Sequence, residues 1–243
     1  MSKTLIMIYA LSTYALAMVG QVLFTLYIGG WEFLPRHINL PQTLPTFEAI
    51  MIDVGLVLLF GVQHTVMART GFKTWILTWL PQPMKRATYV LFSGIALGVI
   101  YLFWQPIDGL VWDISGSFFG AIMIVLYVFG WTFSTAATFI INHFELFGLS
   151  QAYRHLKTLP TPEDDFQVRL FYTFVRHPIQ LGILVGIWAT PLMTYGHLLF
   201  SVLFSVYIMI GLFYEEKDLM VEFGETYAAY KNKVSMFIPF LRF

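Results

Sequence analysis

The sequence predicts an all-α fold, a polytopic transmembrane helical bundle with four spans and a C-terminal helical hairpin. Of its 243 residues, 58% are hydrophobic and only 12% are charged, and the mean hydropathy is +0.70. A soluble domain cannot sustain that composition without burying apolar runs in lipid. Four separate apolar runs are each long enough for one crossing, and a fifth near the C-terminus is long enough for two.

Composition also excludes several kinds of site. The chain has no cysteine, which excludes disulfides, thiolate metal sites and a cysteine nucleophile. Its formal net charge is zero, which argues against a nucleic-acid partner. The N-terminal apolar run lacks the small-residue cleavage site of a signal peptide, so we expect it to be retained as the first span. Specificity must therefore come from where the few charges lie.

The first two spans are predicted at Thr4–Ile28 and Thr46–Met67, joined by a proline-rich loop. Gly29-Gly30 closes the first span. The second span carries Asp53 and Gln63-His64 in an otherwise apolar pattern. We expect Asp53, at or near the non-cytoplasmic entry of this span, to be an end charge or an inter-helix hydrogen-bond partner.

The next two spans are predicted at Thr88–Trp104 and Ser117–Ile141. Before them, residues 69–86 contain Trp75 and Trp79, which predict a short segment lying in the membrane interface, where tryptophan is favoured. A short acidic turn joins the two spans. Together with the first two, these runs give the four single crossings.

A dense polar and aromatic cluster, Asn142 to Gly148, follows the fourth span. It contains His143 and Glu145, and Asn142 is placed to cap the end of that span. Residues Ser150–Arg169 then form a hydrophilic stretch with the acidic run Glu163-Asp164-Asp165, which we predict to be a loop.

The last apolar run, residues 179–214, lies between Arg176-His177-Pro178 and Glu215-Glu216. It has about 36 residues, roughly twice what one membrane pass needs. Pro191 and Gly196 interrupt it. This pattern predicts a hairpin, either re-entrant or crossing fully in both arms, that returns the two acids to the membrane face that Arg176 and His177 left.

The cations predict the orientation of the chain, because positive charge collects on the cytoplasmic side. If every predicted span crosses once, all of the 14 Lys and Arg residues except Arg36 fall on one side, Arg242 included. We therefore expect both termini to be cytoplasmic, in a protein integral to the bacterial inner membrane. The end of the hairpin that carries the Arg176-His177 and Glu215-Glu216 pairs then faces the cytoplasm.

The C-terminal pattern resembles the signature of the isoprenylcysteine carboxyl methyltransferase superfamily, integral membrane enzymes that use S-adenosyl-L-methionine. It reads Arg176-His177-Pro178-x-x-x-Gly182, then the hairpin, Glu215-Glu216, Phe223-Gly224-x-x-Tyr227-x-x-Tyr230 and Pro239. Many members have a tyrosine two residues after the proline, where this chain has Gln180. That difference predicts a different acceptor.

Upstream residues resemble the methanethiol S-methyltransferase branch of this superfamily, and the NnrU branch shares some of the second-span pattern. They read Gln63-His64-x-x-Met67-Ala68-Arg69, Arg86-x-Thr88-Tyr89, Trp104-x-Pro106 and Asn142-His143-Phe144-Glu145-Leu146-Phe147-Gly148-Leu149. The resemblance implies methyl transfer from S-adenosylmethionine to a small thiol. It divides the chain into residues 1–170, with the four spans and their loops, and residues 171–243, with the cofactor-binding hairpin and a cytoplasmic tail.

S-adenosylmethionine carries a carboxylate, an ammonium and a sulfonium, so a membrane site needs side chains of both signs. We expect Arg176 and His177 to face the carboxylate, and Glu215 or Glu216 to bind the ammonium or a ribose hydroxyl. Pro178 suits the first turn of a helix whose free N–H groups favour an anion. The resemblance adds four further cofactor-binding candidates: Gln180, Gly182, Tyr227 and Tyr230. The two tyrosines either cover the adenosine or close the domain against the membrane.

Methyl transfer to sulfur needs an in-line approach, dry surroundings and a thiolate acceptor. The candidate catalytic residues are His143, Glu145 and His64. We expect His143 to be the base, with Glu145 orienting it or contacting the cofactor. Either histidine has the alternative role of a hydrogen-bonding interface residue, and no metal site is predicted.

Three other functions stay open at the level of the sequence. One is methylation of an isoprenylcysteine or another lipid-linked acceptor. Another is a non-enzymatic membrane protein that binds haem or a metal through His64, His143 and His177. A transporter is disfavoured by the absence of an internal repeat. The sequence leaves the preferred thiol and the oligomeric state undetermined.

Overall fold

The computed structural model describes residues 1–162 and 166–239. The acidic run Glu163-Asp164-Asp165, and Arg242 among the predicted cytoplasmic cations, lie outside the described residues.

Most of the described residues are helical, which confirms the all-α fold class. Its helices are α1 Lys3–Ile28, α2 Thr46–Ala68, α3 Thr70–Ile76, α4 Lys85–Phe103, α5 Phe118–Ile141, α6 His143–Leu146, α7 Leu149–Lys157, α8 Pro178–Trp188, α9 Tyr195–Phe223 and α10 Glu225–Lys233. Two strands, β1 Leu110–Asp113 and β2 Leu192–Thr194, pair in a small sheet. Single 3-10 turns lie at Gln82–Met84 and Leu170–Thr173.

Five of the described helices, α1, α2, α4, α5 and α9, are long and apolar enough to cross a membrane. The protein is therefore an integral membrane protein. The predicted spans agree with α1, α2, α4 and α5 to within a few residues, because the length of an apolar run is set by the thickness of the bilayer.

One prediction was wrong: the stretch Ser150–Arg169 is not a loop throughout, since α7 occupies Leu149–Lys157. This short helix is strongly amphipathic. It packs on α1 and buries Ala152 in a cluster with Ile6, Ala10 and Ala87. Its stability depends on that packing, because nine residues are too few for an isolated helix.

The fold divides into two units that interleave along the chain. The first contains residues 1–111, 143–162 and 193–200, and the second contains the described residues of 112–142, 163–192 and 201–243. The division at residue 170 that the resemblance implies concerns function and stays a prediction.

In the first unit, α4 packs against both α1 and α2. Phe200 packs at one end of this unit. The centroid of its ring lies 5.9 Å from that of Phe24 and 5.2 Å from that of Trp104. At the other end Gly148 has a positive φ of 86°. A Cβ there would lie 2.5 Å from the Ala87 nitrogen, so the turn between α6 and α7 contacts the backbone of α4.

In the second unit, α8 packs directly on α5 through glycines. A Cβ at Gly182 would lie 2.5 Å from the Gly130 carbonyl oxygen and 2.7 Å from Ser134. A Cβ at Gly186 would lie 2.7 Å from the Trp131 indole nitrogen. Small residues of this kind let membrane helices approach until their backbones touch.

The first arm of the hairpin continues beyond the end of α8. This helix has 11 residues and is about 16 Å long, roughly half of the hydrocarbon thickness. The chain then runs on without helix, where the Thr190 oxygen accepts from Trp112 Nε1 at 3.0 Å and the Pro191 oxygen accepts from the Ile114 nitrogen at 2.9 Å. The arm therefore follows α5 to its N-terminal end before α9 returns.

We expect Gly182→Ala to lower the free energy of unfolding by about 1–3 kcal/mol, because the new methyl group overpacks the α5–α8 contact. Gly211→Ala on α9 is the matched control, since nothing lies within 4 Å of its would-be Cβ. That variant should keep or slightly raise stability through better helix propensity. Thermal unfolding in detergent measures both, and equal midpoints would contradict the packing.

Candidate functional site

A buried ion cluster lies where the hairpin begins and ends. Arg176, His177 and Glu216 are only 5%, 4% and 5% exposed. Arg176 Nε donates to Glu216 Oε1 at 2.7 Å, and His177 Nε2 lies 3.2 Å from the same oxygen. Lys231 Nζ lies 2.6 Å from Glu216 Oε2. The fold-back expected from the sequence thus brings Arg176, His177 and Glu216 together.

The chain beyond α10 forms one side of this cluster. The Arg176 nitrogen donates to the Ser235 oxygen at 2.8 Å, and the His177 nitrogen donates to the Met236 oxygen at 3.3 Å. A parallel bridge joins Val175 to Ser235. Residues 234–236, named here the tail strap, therefore hold the segment that leads into α8.

Two buried donors beside this cluster, among the described residues, have no hydrogen-bond partner. Arg176 uses Nε for Glu216 and Nη1 for the Val234 oxygen at 2.6 Å, but its Nη2 is buried without an acceptor. The Tyr227 hydroxyl is likewise without one, in a side chain that is 1% exposed. An unsatisfied buried donor costs about 1–3 kcal/mol, so both atoms fit a site that receives an acceptor group.

The hydroxyl of Tyr227 stays protonated at neutral pH. Burial raises the pKa of Tyr227, and the Glu216 carboxylate raises it further, while Arg176 lowers it. A neutral phenol can donate a hydrogen bond to an anion.

Aromatic rings cover the cluster. The Phe166 ring lies 5.7 Å from Tyr227 and 5.3 Å from Tyr230, both edge-on. Tyr230 donates its hydroxyl to the Tyr172 oxygen at 2.6 Å, and burial raises the pKa of Tyr230 to about 12. The two tyrosines share one side of α10, as their spacing predicted. Their contact with an adenosine stays a prediction.

The two neighbouring acids of α9 have different surroundings. Glu216 is buried among cations, whereas Glu215 is exposed, and Gln180 Nε2 lies 3.5 Å from Glu215 Oε2. Pro178 is buried at the first position of α8, as expected, and Gly182 contacts α5. The structure accounts for Gly182 through packing, and its predicted role at the cofactor is untested.

The remaining candidates, His143, Glu145 and His64, lie in the first unit. Asn142 ends α5 in a left-handed conformation, with φ at 113°, and buried His143 follows it. His143 Nε2 lies 2.9 Å from the Tyr14 hydroxyl, and burial lowers the pKa of His143. The side chain is therefore a neutral imidazole at pH 7.

Glu145 is engaged by a different partner from the one expected. Both of its carboxylate oxygens accept from Arg154, each at 2.6 Å. The pair is bidentate, which is the strong form of a carboxylate–guanidinium interaction. Its expected action on His143 or on a cofactor stays a prediction.

Both ring nitrogens of His64 have hydrogen-bond partners. Nε2 lies 2.6 Å from the Tyr89 hydroxyl, and Nδ1 lies 3.0 Å from Ser93 Oγ. The Phe60 ring stacks on the imidazole at 5.2 Å. Since Tyr89 and Ser93 are four residues apart on α4, they lie on one side of that helix.

Sequence reasoning missed several of these partners. The sequence indicates Lys231 only as one more cytoplasmic cation, although it pairs with Glu216. The spacing of Tyr89 and Ser93 could have indicated a shared partner. No sequence signal indicates the tail strap, because it acts through backbone oxygens.

Comparison with known proteins covers nearly the whole chain. It is 39% identical over 240 residues to "Methanethiol S-methyltransferase 1" of Bradyrhizobium diazoefficiens, covering 99% of this chain and 84% of the relative. To the "Methanethiol S-methyltransferase" of Mycobacterium tuberculosis it is 39% identical over 241 residues, 98% of each chain. The chain belongs to the methanethiol S-methyltransferase family. A third member, from Pseudomonas deceptionensis, is 43% identical over 212 residues, 85% of this chain and 81% of its own.

No family model matches the chain, and no solved structure matches it significantly. Membership in the methanethiol S-methyltransferase family confirms the predicted branch. The protein is therefore a membrane methyltransferase, and its reaction requires a methyl donor.

We expect Glu216→Ala to lower the free energy of unfolding by about 3–5 kcal/mol, because it leaves Arg176 buried without its counter-charge. Glu215→Ala, one residue earlier and exposed, should change it by about 0.5 kcal/mol or less. Chemical unfolding of the two variants in the same detergent measures the difference. Equal losses would show that the buried cluster does not stabilise the hairpin.

Proposed function

We propose that this protein methylates methanethiol to dimethyl sulfide, with S-adenosyl-L-methionine as the methyl donor. The observation that carries the proposal is family identity over nearly the full chain. The proposed location is the bacterial inner membrane with both termini in the cytoplasm. The donor then reaches the ion cluster from water, and the thiol enters from lipid.

The charges of the cluster suit an anionic group of the donor. Arg176 and Lys231 contribute two permanent positive charges and Glu216 one negative charge, which leaves one positive charge in excess. Arg176 Nη2 and the Tyr227 hydroxyl are two buried donors without acceptors beside this cluster. In the proposed site both donate to the carboxylate of S-adenosylmethionine. The exposed Glu215 is then the acid for the ammonium or a ribose hydroxyl.

This arrangement changes the roles first expected of two residues. Glu216 accepts from Arg176 and Lys231 and lies beside His177, so its carboxylate is occupied. In the proposal, Glu216 and His177 position the guanidinium of Arg176 and do not bind the donor directly. Behind Pro178, the free N–H groups at the start of α8 add to the positive field.

S-adenosylmethionine supplies an electrophilic methyl group on its sulfonium. The protein must remove the proton of the thiol and exclude water, since the thiolate is the nucleophile. His143 and His64 are the two candidate bases. Glu145 is a weaker one, because Arg154 already neutralises its carboxylate.

The activity test uses purified protein, S-adenosylmethionine and methanethiol in a sealed vial, with headspace gas chromatography for dimethyl sulfide. We expect time-dependent product that requires both protein and donor. A parallel reaction with labelled donor and lipid extract tests the lipid-linked acceptor. Label in the lipid and none in the headspace would overturn the choice of methanethiol.

We expect Tyr227→Phe to weaken binding of S-adenosylmethionine by about 10-fold or more, because one hydrogen bond to a charged group is lost. Arg176→Lys should weaken it as well, since lysine cannot replace the planar fork of donors. Equilibrium dialysis with labelled donor measures the affinities. Tyr153→Phe, exposed on α7, is the control. Unchanged affinity in a folded Tyr227→Phe protein would remove this hydroxyl from the site.

A further inference from the structure

Lys231 of α10 contacts the buried ion cluster of the second unit in two ways. Its side chain places Nζ 2.6 Å from Glu216 Oε2. Its backbone oxygen accepts from Arg176 Nη1 at 3.3 Å, beside the Val234 oxygen, which accepts from the same nitrogen at 2.6 Å. This residue therefore contacts both the carboxylate and the guanidinium of the cluster.

The two oxygens of the Glu216 carboxylate have different partners. Oε1 accepts from Arg176 Nε at 2.7 Å and lies 3.2 Å from His177 Nε2, whereas Oε2 has Lys231 Nζ at 2.6 Å. Charge-assisted contacts at both oxygens restrict rotation of a carboxylate. The contact with Lys231 therefore keeps Oε1 directed at Arg176.

These contacts fix the direction of the Arg176 guanidinium. The group is planar and presents five N–H donors in a rigid fork. Glu216 accepts from Nε, and the backbone oxygens of Lys231 and Val234 accept from Nη1. Because two of the three nitrogens are held, the direction of the third, Nη2, is determined as well. Nη2 is the nitrogen of this group that is buried without an acceptor.

Lys231 also determines the net charge of the cluster. Arg176 and Glu216 alone neutralise each other, and Lys231 adds the positive charge in excess. Among the Asp, Glu and Lys residues of α9 and α10, which the structure describes in full, Glu216 is the only buried one. Water and salt screen charges on the exposed side chains. The charge of Lys231 still acts on the cluster, because its Nζ contacts the buried carboxylate directly.

We propose that Lys231 is a positioning residue that makes the cluster selective for a donor with a carboxylate. This inference rests on the proposed methyltransferase function. Lys231 Nζ is bound to Glu216 and does not contact the donor. By holding Glu216 it directs Arg176 Nη2 toward the carboxylate of S-adenosylmethionine. Its positive charge balances the negative charge that this carboxylate brings into the buried site.

The role concerns binding and not the chemical step. Without Lys231, a bound carboxylate would leave the cluster with one negative charge in excess, and a buried charge without a counter-charge is costly. Methyl transfer changes the charge on the sulfur of the donor and leaves its carboxylate as it was. Lys231 should therefore contribute equally to the binding of S-adenosylmethionine and of its demethylated product. Such uniform binding changes KM for the donor and leaves kcat nearly unchanged.

The test measures the affinity of three labelled compounds by equilibrium dialysis: S-adenosylmethionine, its demethylated product S-adenosylhomocysteine, and decarboxylated S-adenosylmethionine. Lys231→Met should weaken binding of the first two by the same factor, about 10-fold or more, the scale of one charge interaction in a partly screened site. It should leave the affinity for the decarboxylated compound unchanged. The kcat at saturating donor should stay near the wild-type value.

Lys233→Met is the matched control, because Lys233 is exposed and lies two residues further along α10. It should leave all three affinities at their wild-type values. Lys231→Arg should restore most of the affinity for S-adenosylmethionine, since it keeps a positive charge at this position. An equal loss for the donor and for the decarboxylated compound in Lys231→Met would indicate a general structural role and overturn the proposal.

The double variant Arg176→Lys/Lys231→Met tests whether Lys231 acts through the guanidinium. If it does, the combined loss of affinity for S-adenosylmethionine is smaller than the product of the two single losses, because coupled residues are not additive. Losses that multiply would show that Lys231 acts independently of Arg176 and overturn its positioning role. Wild-type protein that binds no S-adenosylmethionine would instead overturn the proposed function itself.

Discussion

The second unit depends on one carboxylate, that of Glu216, which lies within 3.2 Å of groups on Arg176, His177 and Lys231. Removing charges from water is costly, and the cost is recovered only when every group has a partner of good geometry. This one side chain, in the C-terminal third of α9, therefore links that helix to the start of α8 and to α10. The glycine contact between α8 and α5 completes the same unit without any charge at all.

Much of the fold could be predicted from the sequence because the bilayer imposes lengths. The run from 179 to 214 indicated a hairpin, and its break falls where Pro191 stands. The short helix α7 could not be predicted in this way, since its burial depends on a partner surface on α1. A nine-residue amphipathic segment is equally compatible with a loop.

The residues of the site could be predicted from the sequence, but the partner of each residue could not. Arg176, His177 and Glu216 converge as expected, yet nothing in the sequence indicates which of two adjacent acids faces inward. On a helix that is apolar all round, a rotation of about 100° exchanges them. Likewise, the partner of Glu145 is Arg154 because α7 folds back beside α6. Pairings of this kind are set by tertiary structure and not by spacing.

The tail strap has a consequence for how the protein is made. Val234, Ser235 and Met236 supply backbone oxygens to Arg176 and His177, and they are translated after all five long helices. The hydrogen bonds of Arg176 and His177 to these oxygens therefore form only after residues 234–236 have left the ribosome, later than the five long helices of the described chain.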